Sequence, residues 1–172
     1  MVLNFSVTEL KEGRTIRKGE IDSSAVDLQD SEEFHSPIQV SYVADKIGEE
    51  VFIKVNLKSN AELTCDRCLE LYHLPIEENI DIILTQDREL LERDEEDIFF
   101  VDQSTRTIDI SGSVRQTLLL AIPFKKLCRE DCKGLCPHCG QNLNIAACSC
   151  ILQKQDPRWD VLSNLKFEQD QK

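Results

Sequence analysis

Val51-Phe52-Ile53-Lys54-Val55-Asn56-Leu57, then Cys65-Asp66-Arg67-Cys68, then Asn79-Ile80-Asp81-Ile82-Ile83-Leu84 together decide the fold. In the first run Val51, Ile53, Val55 and Leu57 alternate with Phe52, Lys54 and Asn56. In the last, Ile80, Ile82 and Leu84 alternate with Asn79, Asp81 and Ile83. A period of two marks a strand with one buried face, because successive side chains leave the backbone on opposite sides. Ile38, Val40 and Tyr42, alternating with Gln39, Ser41 and Val43, carry the pattern back to Pro37. Residues 37–85 therefore read as half-buried antiparallel strands, with tight turns at Asp45-Lys46-Ile47-Gly48 and at Ser59-Asn60. Such short spacing predicts a meander rather than a parallel sheet. The cysteine pair has Leu63 before it and Leu69, Leu71 and Leu74 after it, so it is expected to cap a hairpin.

Outward from this block, residues 1–36 are polar, with short strands expected (Val2–Phe5 among them) and loops at Lys11-Glu12-Gly13 and Asp30–Glu33. Asp87–Asp97 holds seven acids and two arginines and reads as a solvated loop or short exposed helix that suits a basic partner. Ile98–Val101 and Thr107–Ile110 are candidate strands. Ser111 or Ser113 is expected to cap a helix running to about Ile122, with Val114, Leu118, Leu119, Ala121 and Ile122 on its apolar side and Pro123 ending it. Asp156-Pro157 signals a last helix, whose Trp159, Leu162 and Leu165 read as core. The expected fold is α+β: an antiparallel β-meander, two helices and a C-terminal cysteine-rich zinc module. Residues 1–110 form an acidic β part and 111–172 the helix, zinc module and final helix, packed as one compact unit.

The chain has 172 residues, 41% of them hydrophobic, with a formal net charge of −12. This is the composition of a folded protein rather than a disordered one. The first 110 residues carry 26 acids against 11 basic side chains, the remainder 6 against 9. So acidic a body is a poor general binder of phosphate backbones. No apolar run is long enough to span a membrane, and the N-terminus lacks the basic start and apolar core of a signal peptide. The expected location is the cytoplasm.

In a reducing compartment the eight cysteines point to metal rather than disulfides. They fall as pairs: Cys65/Cys68, Cys128/Cys132, Cys136/Cys139 and Cys148/Cys150. A Cys-x-x-Cys turn delivers two thiolates to one tetrahedral ion. In Cys136-Pro137-His138-Cys139-Gly140 the proline stiffens that turn, and the glycine is free to take the left-handed conformation after it. Cys148 and Cys150 would point the same way from extended backbone, and one turn or loop would converge Cys128 with Cys132. The preferred partition is Cys136, Cys139, Cys148 and Cys150 for one zinc, and Cys65, Cys68, Cys128 and Cys132 for a second that ties the hairpin tip to the end of the helix. The rival is a single ion within 128–150.

Catalytic zinc keeps an open position and usually mixes histidine or carboxylate with thiolate. His35 and His73 read as ordinary surface or strand residues, and His138 as a turn residue bonding outward. There is no phosphate loop, nucleophile elbow or His-Glu-x-x-His pair. Neither an enzyme nor a small-molecule substrate is expected. Lys125, Lys126, Arg129 and Lys133 flank the metal module and are the candidate phosphate contacts; a solubilising surface explains them equally well.

Cys65-Asp66-Arg67-Cys68-Leu69, Leu118-Leu119-Leu120-Ala121-Ile122-Pro123, the run Cys128–Gly140 with Asn142-Leu143-Asn144 behind it, Cys148-Ser149-Cys150 and Asp156-Pro157-Arg158-Trp159-Asp160-Val161-Leu162 together resemble the bacterial and plastid YceD family, the large ribosomal RNA subunit accumulation proteins, across about residues 37–166. The resemblance implies a non-catalytic role in accumulating 23S ribosomal RNA and assembling the large subunit. It implies metal binding at the cysteines just quoted, with nucleic acid as a suggested ligand. It supplies no catalytic residues. The implied partner is a large-subunit precursor, through its RNA or its basic ribosomal proteins, and the acidic first two-thirds favours the proteins. Two other readings stand beside it: a redox-responsive zinc protein or chaperone, which would release zinc reversibly under mild oxidant, and a metal-dependent hydrolase, which would need an open zinc.

Overall fold

The computed structural model describes residues 3–7, 10, 12–87, 97–102 and 104–150. Along the chain come β1 (Asn4–Ser6), β2 (Gly13–Ile21), a 3-10 turn (Ser23–Val26), β3 (Ile38–Ile47), β4 (Glu50–Thr64), β5 (Leu71–Thr85), β6 (Ile98–Phe100), β7 (Thr107–Asp109) and α1 (Ser111–Leu120). A five-stranded sheet runs β2-β3-β4-β5-β6, and β1 pairs with β7 in a two-stranded ribbon.

Strands β3 to β5 form the expected antiparallel meander, and β2, a nine-residue strand in the polar first segment, extends it at one edge. The turn after β3 is tight: Ile47 faces Glu50 across two residues, the first of which, Gly48, sits at φ +63°, a region that favours glycine. Two expectations are corrected. Ser59-Asn60 is not a turn; β4 passes straight through, Ser59 facing Ile76 and Asn60 facing Pro75. The alternation of Leu57, Ser59, Ala61 and Leu63 inward with Lys58 and Asn60 outward outweighs the turn preference of Ser and Asn. Nor is the sheet wholly antiparallel, because β6 pairs parallel with β5, Ile83 opposite Ile98. The meander rule holds where connections are short. Residues 86–97 are numerous enough to bring the chain back in the same direction.

One of the two expected helices lies among the described residues. The final one, from Asp156, lies outside them, as does most of the acidic stretch at 88–96. α1 starts at Ser111, but neither Ser111 nor Ser113 caps it. Ile110 is the N-cap and offers no side-chain acceptor, and the Asp109 carboxylate instead accepts the Ser111 N–H at 2.9 Å.

The inward face of the sheet presents Ile38 and Val40 from β3, Val51, Ile53, Val55, Leu57 and Leu63 from β4, and Ile80, Ile82 and Leu84 from β5. Val114 and Leu118 of α1, Phe5 and Ile108 of the ribbon, and Val26, Leu28 and Phe34 from the β2–β3 connection complete this core. Phe5 meets Tyr42 edge-on, ring centroids 4.5 Å apart, a favoured aromatic geometry. The outward face carries exposed pairs such as Lys58–Glu77 at 2.8 Å and Lys54–Asp81 at 3.7 Å, which contribute little to stability in water.

Candidate metal centres

The inward alternation of β4 continues past the core. Ala61, Leu63 and Cys65 all face inside, and Cys65 is fully buried. The hairpin then closes through Asp66–Glu70, with Thr64 facing Leu71. The Leu69 N–H donates to the Cys65 carbonyl at 2.9 Å, and the Cys65 N–H to the Glu70 carbonyl at 2.9 Å. The same loop recurs at Cys136: the Gly140 N–H donates to the Cys136 carbonyl at 2.9 Å and the Cys136 N–H to the Gln141 carbonyl at 2.8 Å. These are two copies of one knuckle. The residue after the second cysteine is left-handed in both, Gly140 at φ +72° and Leu69 at φ +61°. Glycine adopts this freely, whereas leucine is strained there by roughly 1–2 kcal/mol. Glycine also loses more chain entropy on folding. Leu69→Gly is therefore expected to raise stability by about 0.5–1 kcal/mol, seen as a higher urea midpoint at unchanged slope.

The hairpin tip brings Cys65 and Cys68 against Cys128 and Cys132. Cys65 and Cys132 sulfurs lie 3.8 Å apart, Cys68 and Cys128 sulfurs 3.7 Å. The second group is Cys136, Cys139, Cys148 and Cys150, and within each group all ligand atoms lie within 4.8 Å of one another. A tetrahedron of sulfurs about 2.3 Å from a zinc ion has edges of about 3.8 Å, which the Cys65–Cys132 and Cys68–Cys128 separations match. The chain thus brings the cysteines together in the partition preferred from their spacing, and both groups could hold metal ions. The inner group is largely buried; the outer has Cys136 buried, Cys148 and Cys150 half-buried and Cys139 exposed.

Burial pushes the Cys65 thiol up, but the backbone amides of Cys128, Cys68 and Arg67 outweigh it and bring Cys65 down to about 6. Cys128, under burial and hydrogen bonds from its neighbouring sulfurs, is pushed up to about 12. In the outer group the amides of Cys139 and His138 bring Cys136 down to about 6, while a hydrogen bond with Cys139 holds Cys150 up at about 12. Each group therefore sets a thiol that ionises readily, Cys65 or Cys136, beside one that a divalent ion must deprotonate, Cys128 or Cys150. Metal uptake releases protons and weakens as pH falls.

Other side chains hold the inner group in place. Asp66 and Lys126 exchange bonds: the Asp66 N–H donates to the Lys126 carbonyl at 2.8 Å, and the Lys126 N–H to the Asp66 carboxylate at 2.7 Å. Arg67 donates from Nη1 to the Cys132 carbonyl at 2.7 Å, and its own carbonyl accepts the Leu135 N–H at 3.0 Å. Gly134, at φ +73°, passes so close that a Cβ there would stand 2.9 Å from the Arg67 carbonyl oxygen. Asn144 joins several strands of this network. Its Nδ2 donates to Cys132 Sγ at 3.3 Å and to Asn142 Oδ1 at 2.9 Å, and its Oδ1 accepts from Arg129 Nη2 at 2.9 Å and the Lys133 N–H at 2.8 Å. Reading the sequence for ligands passes over Arg67, Gly134 and Asn144. Their signal is position alone: one inside a knuckle, one between two cysteine pairs, one in the Asn142-Leu143-Asn144 run.

The four basic candidates differ. Lys125 and Lys133 are exposed. Lys126 is half-buried, its Nζ 3.1 Å from Glu33, and Arg129 lies 3.3 Å from Asp131. His35, His73 and His138 belong to neither cysteine group.

The family described as "Large ribosomal RNA subunit accumulation protein YceD" matches residues 53–166. A chloroplast protein of Arabidopsis thaliana, named a large ribosomal RNA subunit accumulation protein YCED homolog, is 27% identical over 163 aligned residues, covering 80% of this chain and 51% of its own. An uncharacterised protein of Mycobacterium tuberculosis is 30% identical over 125 residues, covering 69% of this chain and 56% of its own. The chain thus spans about half the length of these relatives. No solved structure matches it. Among the described residues no helix is long and apolar enough to cross a membrane.

Proposed function

The chain belongs to the YceD family of large ribosomal RNA subunit accumulation proteins, and from that premise we propose that it is a non-catalytic zinc protein of the cytoplasm that promotes accumulation of 23S ribosomal RNA during large-subunit assembly. The observation that carries the zinc reading is the inner group: four thiols, no histidine or carboxylate, all sulfurs within 4.8 Å of one another and two pairs at 3.7–3.8 Å. Soft sulfur ligands select zinc over magnesium or calcium, and a closed site leaves no position for a reacting water. The ions hold the hairpin tip, the segment after α1 and the 136–150 loop together as one surface beside the sheet. Two structural zincs per chain are proposed, one for each group of four. The acidic first 110 residues, 26 acids against 11 basic side chains, favour basic ribosomal proteins as the partner of the chain as a whole. For contact with RNA phosphates the chain offers Lys125, Arg129 and Lys133 around the inner group. Neither membrane nor small-molecule substrate enters the proposal.

The test is complementation in a bacterium depleted of its own family member. The expected result is a restored ratio of 23S to 16S RNA with the intact chain and no restoration with Cys68→Ser/Cys128→Ser. Unchanged RNA ratios on depletion would overturn the assembly role. One observation favours the redox reading as a second: Cys139 of the outer group is exposed, which is where oxidants reach thiolates first. Zinc lost from that group under mild peroxide, and regained on reduction, would support it.

A further inference from the structure

Beside the inner metal group lies an open groove whose lining joins Leu69, Leu71 and Phe124 with the carboxylates of Glu32, Glu33, Glu62 and Asp66 and one cation, Lys126. Leu69 is 64% exposed, Leu71 66%, and Phe124 is fully exposed. Three large apolar side chains converging on one exposed groove are unusual on a soluble surface and mark contact sites. The knuckle adds a second observation. Its twin at Cys136 uses glycine at the left-handed position, whereas this one keeps a strained leucine there and turns it to solvent. Strain retained at an exposed position points to use outside the fold.

The charged part of the lining indicates what binds. Glu33 is already paired with Lys126. No cation among the described residues pairs with Glu32, Glu62 or Asp66. Four carboxylates against a single lysine, itself paired with Glu33, leave the lining acidic, and acidic groups beside exposed apolar ones repel phosphates and attract a chain that alternates basic with apolar side chains. We propose that this groove docks a basic segment of another protein, whose leucine or phenylalanine side chains sit on Leu69, Leu71 and Phe124 while its lysines or arginines meet Glu32, Glu62 and Asp66. The inference rests on the assembly reading only for where such a partner comes from, not for its chemistry.

The experiment titrates the full-length, zinc-loaded chain with a twelve-residue peptide in which lysine and arginine alternate with leucine and phenylalanine, followed by amide NMR shifts. Two control peptides replace the basic residues by glutamate or the apolar ones by serine. Shifts at 62–71 and 124–126, lost with either control, are expected. Leu69→Gly, which suits the knuckle backbone, combined with Phe124→Ser should weaken binding about tenfold or more, as loss of buried apolar anchors does. Glu32→Lys with Glu62→Lys should weaken it comparably, with zinc content unchanged in both variants. Shifts confined to other parts of the chain, or affinity indifferent to both variants, would overturn the proposal. So would a single-stranded RNA dodecamer binding the same residues more tightly than the peptide, or self-association abolished by Leu69→Gly, since the occupant would then be RNA or a second copy. Complementation separates the two readings. If depletion lowers 23S RNA but Leu69→Gly/Phe124→Ser restores it fully, the docking proposal fails while the assembly role stands.

Discussion

Cys132→Ser is expected to reduce bound zinc from two ions per chain to one and to free the segment after α1 from the hairpin tip. Cys132 is buried, its sulfur contacts that of Cys65 and accepts from Asn144, and its carbonyl accepts from Arg67. Serine keeps the size but not the soft ligand. Structural zinc supplies on the order of 10 kcal/mol in small metal modules, far more than the hydrogen bonds around the inner group can replace. The sheet core draws on Ile53, Val55, Leu57 and Ile82 and not on the metal. The loss should therefore be local: amide exchange protection falls at Asp66 and Leu135, which bond across this junction, and persists in β3, β4 and β5. Metal analysis with hydrogen exchange on the same sample checks both halves. Two ions retained, or collapse of the whole sheet, would contradict it. Lowering the pH should do to both groups what the substitution does to one. The thiolates at Cys65 and Cys136, at about 6 without metal, take up protons as acid competes with the ion.

Gly134→Ala is expected to be nearly as disruptive from a position with no ligand at all. A left-handed φ of +73° costs alanine about 1–2 kcal/mol. The added Cβ would stand 2.9 Å from the Arg67 carbonyl oxygen, so one backbone must shift, and the Leu135-to-Arg67 bond at 3.0 Å is the first to go. Together the cost is about 2–4 kcal/mol, localised to the inner group. It should be read as weaker zinc retention against a chelator, with metal in the outer group unaffected. Equal loss from both groups would show that the close approach to Arg67 is not the cause.

The strands that place the site were legible because burial imposes period two on them, and the same alternation carries Cys65 inward at the end of β4. The cysteine partition was legible from spacing, since each Cys-x-x-Cys turn needs one more pair within reach. Other features turn on competition that a local pattern does not resolve. Ser59 and Asn60 have turn chemistry, but their neighbours Leu57 and Ala61 are fully buried and hold the strand straight. The parallel β6 depends on where a long connection lands. Neither serine caps α1 because the chain enters the helix at Ser111 itself, earlier than a capping hydroxyl would place it, with Ile110 at the cap and the Asp109 carboxylate accepting the Ser111 N–H. The roles of Arg67, Gly134 and Asn144 arise only when segments far apart in sequence meet, and the exposure of Leu69, Leu71 and Phe124 cannot be told from apolar composition, which ordinarily signifies core.

The two knuckles share a backbone but not a history in the growing chain. The outer group draws all four cysteines from residues 136–150, so it is complete as soon as that short stretch has been synthesised. The inner group joins residues 60 and 67 positions apart, and the search for such a distant contact is slow unless intervening structure shortens it. The β4–β5 hairpin presents Cys65 and Cys68 at its tip long before Cys128 is made. A nascent chain therefore carries one cysteine pair of the inner group alone while the 60 positions between Cys68 and Cys128 are made, and the arrival of the second pair joins its later segment to its earlier one.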